Sequence, residues 1–134
     1  MLKVLVTVFS LLVILATNML IVPVHGRRNT VRITNDLKGS GFTQLLVHCG
    51  SKDDDLGIHY LQSGQSFQWS FKDNIWGTTL FWCHLGWNSV SQTITAYRYS
   101  DDSCGSQCWR SIRPDGAYFY SAEPFRRWDK KYSW

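Results

Sequence analysis

The chain has 134 residues, four cysteines, seven tryptophans and a formal charge of +4. That length admits one domain of ordinary size and not two, with no low-complexity tract, internal repeat or long linker. The charge is too mild and too dispersed for nucleic-acid binding, which needs a denser basic face.

Met1-Leu2-Lys3 gives a short positive start, and Val4 to Ala16 is apolar apart from Thr7 and Ser10. Val24-His25-Gly26 then offers tolerable residues before a cut. This is the pattern of a secretory signal peptide over residues 1–26, with a mature domain at 27–134. The competing reading is a membrane anchor, because Val4 to Val24 is long enough to span a bilayer. Thr17, Asn18 and Pro23 interrupt that run, and no later run is long enough, so no stable membrane insertion is expected after cleavage. Loss of Lys3 with the signal leaves 13 basic and 10 acidic side chains, a formal charge of +3. There is no Asn-x-Ser/Thr sequon, so no N-glycosylation is expected.

The mature sequence reads as strands almost throughout. Val31 and Ile33 alternate with Arg32 and Thr34, and Thr43 to Cys49 alternates less cleanly. A short strand over Ile58 to Leu61 is possible. Gln65 to Lys72 alternates without a fault, with Phe67, Trp69 and Phe71 on one side, the period of a strand with one wet face. Thr78 to His84 is apolar on both faces, as in a central strand, so Trp69 and Trp82 are expected in the core. Ser91 to Tyr99 carries Thr, Ile and Tyr, which suit a pleated surface; Gln107 to Arg113 and Ala117 to Tyr120 complete the set. Turn signals separate these runs at Lys38-Gly39-Ser40-Gly41, Ser63-Gly64, Lys72-Asp73-Asn74, Trp76-Gly77, Asp101-Asp102-Ser103 and Pro114-Asp115-Gly116. The class is therefore all-β, with about seven or eight short strands in a small antiparallel β-sandwich or barrel. The basic end, Arg126-Arg127-Trp128-Asp129-Lys130-Lys131, reads as a solvated, partly frayed tail; contact with an anionic membrane or polysaccharide is its other reading.

Cys49, Cys83, Cys104 and Cys108 all follow the signal, and an even count in a small secreted domain implies two disulfides. Four cysteines allow three pairings, and the sequence leaves the pairing open. Cys104 and Cys108 are separated by three residues, and no second close pair completes a common zinc pattern.

The sharpest candidate site is Asp53-Asp54-Asp55, directly after a strand ending in Cys49. A calcium site needs six to eight oxygen ligands, and the spacing lacks the glycine and distal glutamate of an EF-hand loop. An Asx-type turn accounts for the same residues, with Lys52 as an obvious ionic neighbour. His48, His59 and His84 supply residue types for ribonuclease chemistry, yet the spacing brings no two imidazoles together, and no nucleophile-elbow pattern is present. Trp76 and Trp87 lie in or beside turns, as ligand-stacking residues or as a lid over one end of the fold.

The succession Val31-Arg32-Ile33-Thr34-Asn35-Asp36-Leu37, Leu46-Val47-His48-Cys49, Ser51-Lys52-Asp53-Asp54-Asp55-Leu56-Gly57, Phe67-Gln68-Trp69-Ser70-Phe71, Trp76-Gly77-Thr78-Thr79-Leu80-Phe81-Trp82-Cys83 and Cys108-Trp109-Arg110-Ser111-Ile112 resembles the plant self-incompatibility S-protein family and its S-protein homologues. The resemblance covers Val31 to Tyr120. It implies a secreted, extracellular (apoplastic), disulfide-stabilised β-sandwich that is not an enzyme and carries no cofactor or metal. The implied role is that of a signalling ligand for a protein receptor at a plant cell surface, as in pollen rejection. Recognition in the family is thought to lie in exposed loops, which points here to Lys38, Ser40, Asp53, Asp54, Asp55, Asp73, Asn74, Trp76, Trp87, Asn88, Asp101 and Asp102. Among these, Asn74 and Asn88 are expected to matter more to binding than to folding. An apoplastic carbohydrate-binding or defence module using Trp76 and Trp87 is the alternative, and a secreted ribonuclease a more distant one. The oligomeric state stays open.

Overall fold

The computed structural model describes residues 28–39, 43–102 and 104–134. The signal-peptide expectation and Ser40 lie outside these residues. Nine strands are formed: β1 (Arg28–Asn35), β2 (Leu45–Gly50), β3 (Asp55–Leu61), β4 (Ser66–Lys72), β5 (Leu80–Trp87), β6 (Val90–Arg98), β7 (Cys108–Arg113), β8 (Gly116–Ser121) and β9 (Arg127–Ser133). They build a five-stranded sheet in the order β4-β1-β7-β8-β9 and a four-stranded sheet in the order β3-β2-β5-β6. All pairings are antiparallel except β1 with β7. No helix among the described residues is long and apolar enough to cross a membrane.

The alternation of apolar and polar residues becomes the two faces of each sheet. Val31 and Ile33 of β1, Val47 and Cys49 of β2, Cys83 and Leu85 of β5, Ile94 of β6 and Ile112 of β7 are fully or almost fully buried between the sheets. Phe67, Trp69 and Phe71 of the edge strand β4 close one side of this core. A bulge in β6 pairs Trp82 with Thr95 but Phe81 with Tyr97. The extra residue, Ala96, lets both Ala96 and Tyr97 point inward, as a bulge of this kind permits.

Four expectations change. The basic tail is not frayed: Arg127–Ser133 is strand β9, paired with β8. The terminal Trp134 packs on Trp87 with centroids 5.2 Å apart and donates its indole N–H to the Arg113 carbonyl at 3.0 Å. A run so rich in charge reads as solvent-bound, yet charge is what an edge strand carries to block further pairing. With β9 the strand count is nine, and β3 begins at Asp55, three residues before the expected Ile58, through a register shift opposite His48 and Gly50. Trp82 is not core. Cys83 points inward, so the pleat turns Trp82 to the outer face of the four-stranded sheet, where its indole lies over Gly50. The same outer face brings His48 and His84 together as register partners, with ring centroids 6.2 Å apart.

Both disulfides are formed, Cys49–Cys83 between adjacent strands and Cys104–Cys108 within one connection. The pairing follows from register, since Cys49 and Cys83 stand opposite each other on β2 and β5.

Candidate functional site

The fold sorts the candidate loops into two ends. Lys38, Trp87 and Asn88 line one small cleft with Leu37, Gly39, Thr43 and Pro114. Trp87 is half-buried against the core and packs on Trp134. Asn88 sits in the β5–β6 hairpin with φ 48°, a left-handed conformation that Asn tolerates better than most residues. Asp53, Asp54, Asn74 and Trp76 share a cleft of about 430 Å³ at the opposite end. That end holds the most exposed large apolar side chains of the described residues, Ile75 at 90% and Trp76 at 80%.

Local chemistry fixes the loop that presents them. Asp73 accepts the Tyr97 hydroxyl at 2.7 Å on one oxygen and the Asn29 amide at 2.9 Å on the other. This ties the loop base to β6 and β1. Burial, with the Asp73 carboxylate beside it, pushes the Tyr97 hydroxyl pKa far up, so the phenol stays a donor. Asn74 accepts the Thr78 backbone N–H at 2.9 Å and donates to the Thr78 hydroxyl at 3.0 Å, while its own N–H reaches the Thr79 hydroxyl at 2.8 Å. The turn closes at Gly77 (φ 66°), over which the Tyr99 ring lies so closely that a Cβ would stand 2.8 Å from its Cε1. Asn74 thus shapes the loop, and its side chain is engaged within it before any partner arrives. Asn88 contributes the left-handed turn conformation, and its side chain lines the cleft at the Lys38 end.

Across the cleft stands the Ser51–Asp54 turn. The Ser51 N–H donates to the Asp54 carbonyl at 2.8 Å, and the Asp54 N–H donates to the Ser51 hydroxyl at 3.2 Å. Asp55 accepts the Gly57 N–H at 2.8 Å, the Asx arrangement expected of an acidic turn, and bonds His48 Nε2 at 2.8 Å. The Gly57 N–H first, and His48 second, hold its carboxyl below the usual carboxylate range. The side-chain partner of this turn is therefore His48. Among the described residues Lys52 pairs with none of the three carboxylates, and no three His, Cys, Asp or Glu side chains converge as metal ligands would.

Asp101 and Asp102 lie in the β6–β7 connection. Asp101 pairs with Arg98 at 3.2 Å. Asp102 turns inward to meet Arg110 Nη2 at 3.0 Å and the Arg98 N–H at 2.7 Å. Arg110 escaped the sequence reading although Cys108, Arg110 and Ile112 alternate inward together. Its guanidinium, 1% exposed, donates through Nε to the Ala96 carbonyl at 2.8 Å and lies 3.9 Å from the Phe119 ring centroid. Burial pulls its pKa down, and Asp102 opposes that shift. Asn35 escaped notice too. Fully buried, it donates to the carbonyls of Thr43 and Leu61 and accepts the Leu37 N–H, stitching three connections at the Lys38 end.

Each histidine is engaged by a neighbour. His48 is held by Asp55, His84 Nδ1 by the Thr93 hydroxyl at 2.6 Å, and His59 stacks on Phe67 at 3.7 Å while bonding the Leu56 carbonyl. His48 and His84 flank Trp82 on the outer face of the four-stranded sheet.

The sequence matches the family described as plant self-incompatibility protein S1 over residues 30–134. It is 38% identical over 104 residues to S-protein homolog 21 of Arabidopsis thaliana, covering 72% of this chain and 77% of that one. Self-incompatibility protein S1 of Papaver rhoeas is 36% identical over 97 residues, covering 69% and 68%. A solved SPH (self-incompatibility protein homologue) structure superposes with a TM-score of 0.58 at 24% identity, over 82% of this chain and 98% of the other, and shares the fold. With two stacked sheets, two disulfides and these relatives, the chain belongs to the plant self-incompatibility S1 family of β-sandwich proteins.

Proposed function

We propose that this protein is secreted to the apoplast, after cleavage before Arg27, and acts there without catalysis as a signalling ligand for a protein receptor on a plant cell surface. The observation that carries the reading is the Ile75–Trp76 tip. Two large apolar side chains stand almost wholly in solvent on a loop whose own hydrogen bonds leave it little freedom. An exposed tryptophan on a pre-organised support has the character of an interface anchor. The adjoining cleft, with Asp53 and Asp54 on its far wall, supplies a polar rim. Relatives named for self-incompatibility, and a structural relative described as one of a widespread family of small, highly stable, secreted plant proteins, support the extracellular placement.

The test uses the secreted, disulfide-bonded protein, labelled and titrated onto plasma membranes from tissue next to its site of expression. Ile75→Ser/Trp76→Ala should keep the wild-type melting temperature and lose at least about 30-fold in affinity, the equivalent of one hot spot near 2 kcal/mol. Unchanged affinity of the folded variant would remove the tip from the interface. Cleavage of RNA by the purified protein, abolished by His48→Ala, would remove the non-enzymatic part.

A further inference from the structure

The outer face of the five-stranded sheet carries a one-signed charge pattern that the receptor reading does not use. Its outward strand positions include Arg28 and Arg32 on β1, Lys72 on β4, Arg113 on β7 and Lys130 on β9, and no Asp or Glu. Lys130 is neutralised by Asp115 at 2.8 Å. Among the described residues, the other four have no carboxylate within ion-pair distance. Arg28 and Lys72 are direct register partners. Like charges facing each other across a strand pair are destabilising, so Arg28 and Lys72 favour an anion between them; the Asp36 and Asp115 carboxylates that share a cleft with Arg113 are engaged by Ser111 and by Lys130 and Tyr118.

Two of these cations are also held in place. Arg32 donates through Nε to Gln68 at 3.0 Å, with its guanidinium 5.4 Å from the Trp109 centroid. Arg113 donates through Nε to Ser111 at 3.0 Å and lies 4.1 Å from the Tyr118 centroid. Neither uses its Nη groups on a protein acceptor among the described residues, which leaves two oriented forks of the kind that bind carboxylates in pairs. Trp109 stacks on Tyr120 at 5.0 Å, and Trp128 meets Tyr120 at a 55° tilt at 5.2 Å, across the strands. Of the three, Trp128 is the most open to solvent, at 39% exposed, and the rings pack against the Arg32 and Arg113 guanidiniums, an arrangement of cations over aromatic rings and not a bare apolar wedge of the kind a lipid surface requires. The cations also form a track. Arg28 lies four residues from Arg32. Arg113 lies four residues beyond Trp109, the β7 partner of Arg32. At a strand rise of about 3.3 Å each step is about 13 Å.

We infer that this face binds an extended acidic polysaccharide, a polyuronate whose every sugar offers a carboxylate, along the line from Arg28 and Lys72 through Arg32 to Arg113. A polymer gains from several weak contacts at once, whereas a free uronate monomer engages one cation and binds poorly. The inference rests on the extracellular placement above, and not on the receptor.

The experiment measures binding of the full mature protein to polygalacturonate by affinity electrophoresis and calorimetry. The comparison probes are the fully methyl-esterified polymer, duplex DNA and phosphatidylserine vesicles. Binding to the free-acid polymer should vanish on esterification. It should also weaken steeply as salt rises from 0.01 M to 1 M and the screening length shrinks from about 30 Å to about 3 Å. Arg32→Gln/Arg113→Gln should bind about tenfold more weakly, the equivalent of about 1.4 kcal/mol. Arg98→Gln/Lys131→Gln, with the same charge change off this face, should bind as wild type, as should Ile75→Ser/Trp76→Ala. Equal losses in the two charge variants would reduce the effect to net charge and overturn the site. Preference for the esterified polymer, DNA or vesicles would overturn the ligand class.

Discussion

Replacing Asp102 by Asn isolates the one charge that the core cannot do without. At the 3.0 Å Arg110–Asp102 separation, two unit charges attract by about 5–6 kcal/mol in an effective dielectric of about 20. Asp102 is only 17% exposed and Arg110 1%, so little of this is screened. Removing one partner of such a pair costs about 3–5 kcal/mol, because the other charge stays buried and unpaired. Asn also cannot accept from both the Arg98 N–H and Arg110 Nη2, as the two oxygens of Asp102 do. Asp102→Asn should therefore lose about 3–5 kcal/mol in urea unfolding followed by tryptophan fluorescence, with both disulfides intact. Arg110→Met removes the buried charge and leaves the Ala96 carbonyl without its donor, a cost of about 1–3 kcal/mol. Once Arg110 is Met, changing Asp102 should matter little. The double variant should be more stable than the sum of the single losses predicts by nearly the whole Asp102→Asn loss, about 3–5 kcal/mol. Single losses that simply add, within about 0.5 kcal/mol, would refute the claim that this pair acts as a unit.

The disulfides should differ in worth. The chain-entropy relation gives about 3.8 kcal/mol for the 34-residue separation of Cys49–Cys83 and about 1.9 kcal/mol for the 4-residue separation of Cys104–Cys108. Paired Cys→Ala variants compared by urea unfolding should keep that order. Gly77→Ala should destabilise by about 1–3 kcal/mol from its φ of 66° and by more for displacing Tyr99. Gly64→Ala, at φ 81° with nothing within 4 Å, should show the backbone cost alone, and equal melting temperatures would deny the Tyr99 contact. Asp55 and Asp115 have carboxyls held below the ordinary 3.8, Asp55 chiefly by the Gly57 N–H and Asp115 chiefly by Lys130. A lowered folded pKa contributes stability above the unfolded value and loses it as pH falls through the folded one. Melting temperature should therefore decline below about pH 4, and less so in Asp55→Asn/Asp115→Asn; an unchanged acid profile in that variant would count against both contacts.

How far the sequence could be read depended on whether a strand had one wet face. β4 was legible because Phe67, Trp69 and Phe71 alternate with Ser66, Gln68, Ser70 and Lys72, and an edge strand over a core must alternate in that way. β9 was hidden because Arg127, Asp129, Lys130 and Lys131 carry edge-strand charge that also describes a loose tail. The start of β3 was hidden by the irregular pairing around Gly57, which no period-two pattern records. Burial of Arg110 contradicted the prior that guanidiniums lie outside, although its neighbours Cys108 and Ile112 set the phase. The acidic turn was recognised by type, but its partner was not: His48 reaches Asp55 only because β2 and β3 lie side by side. Cross-strand register likewise decides the Cys49–Cys83 pairing and the facing cations Arg28 and Lys72, and register is a property of the fold that one strand read alone does not contain.

The same register decides which candidate residues remain free for recognition. Asp55, Asp73, Asn74 and Asp102 are engaged inside the protein by His48, Tyr97, Thr78 and Arg110. What is left at that end is small: Asp53, Asp54, Ile75 and Trp76, held on supports that have little freedom to rearrange. In the proposed role as a ligand, such a surface would discriminate by what sits on a fixed tip, because loops so held are not free to mould themselves to different partners. The cationic track reaches the same end at Lys72, which lines the cleft and faces Arg28 across β1 and β4. The two proposed surfaces therefore meet at one residue. A polymer bound only between Arg32 and Arg113 leaves the tip clear, whereas one that extends to Lys72 crowds the cleft beside Trp76. Retention on an acidic matrix and presentation to a receptor are thus compatible on this fold only when the polymer stops short of Lys72.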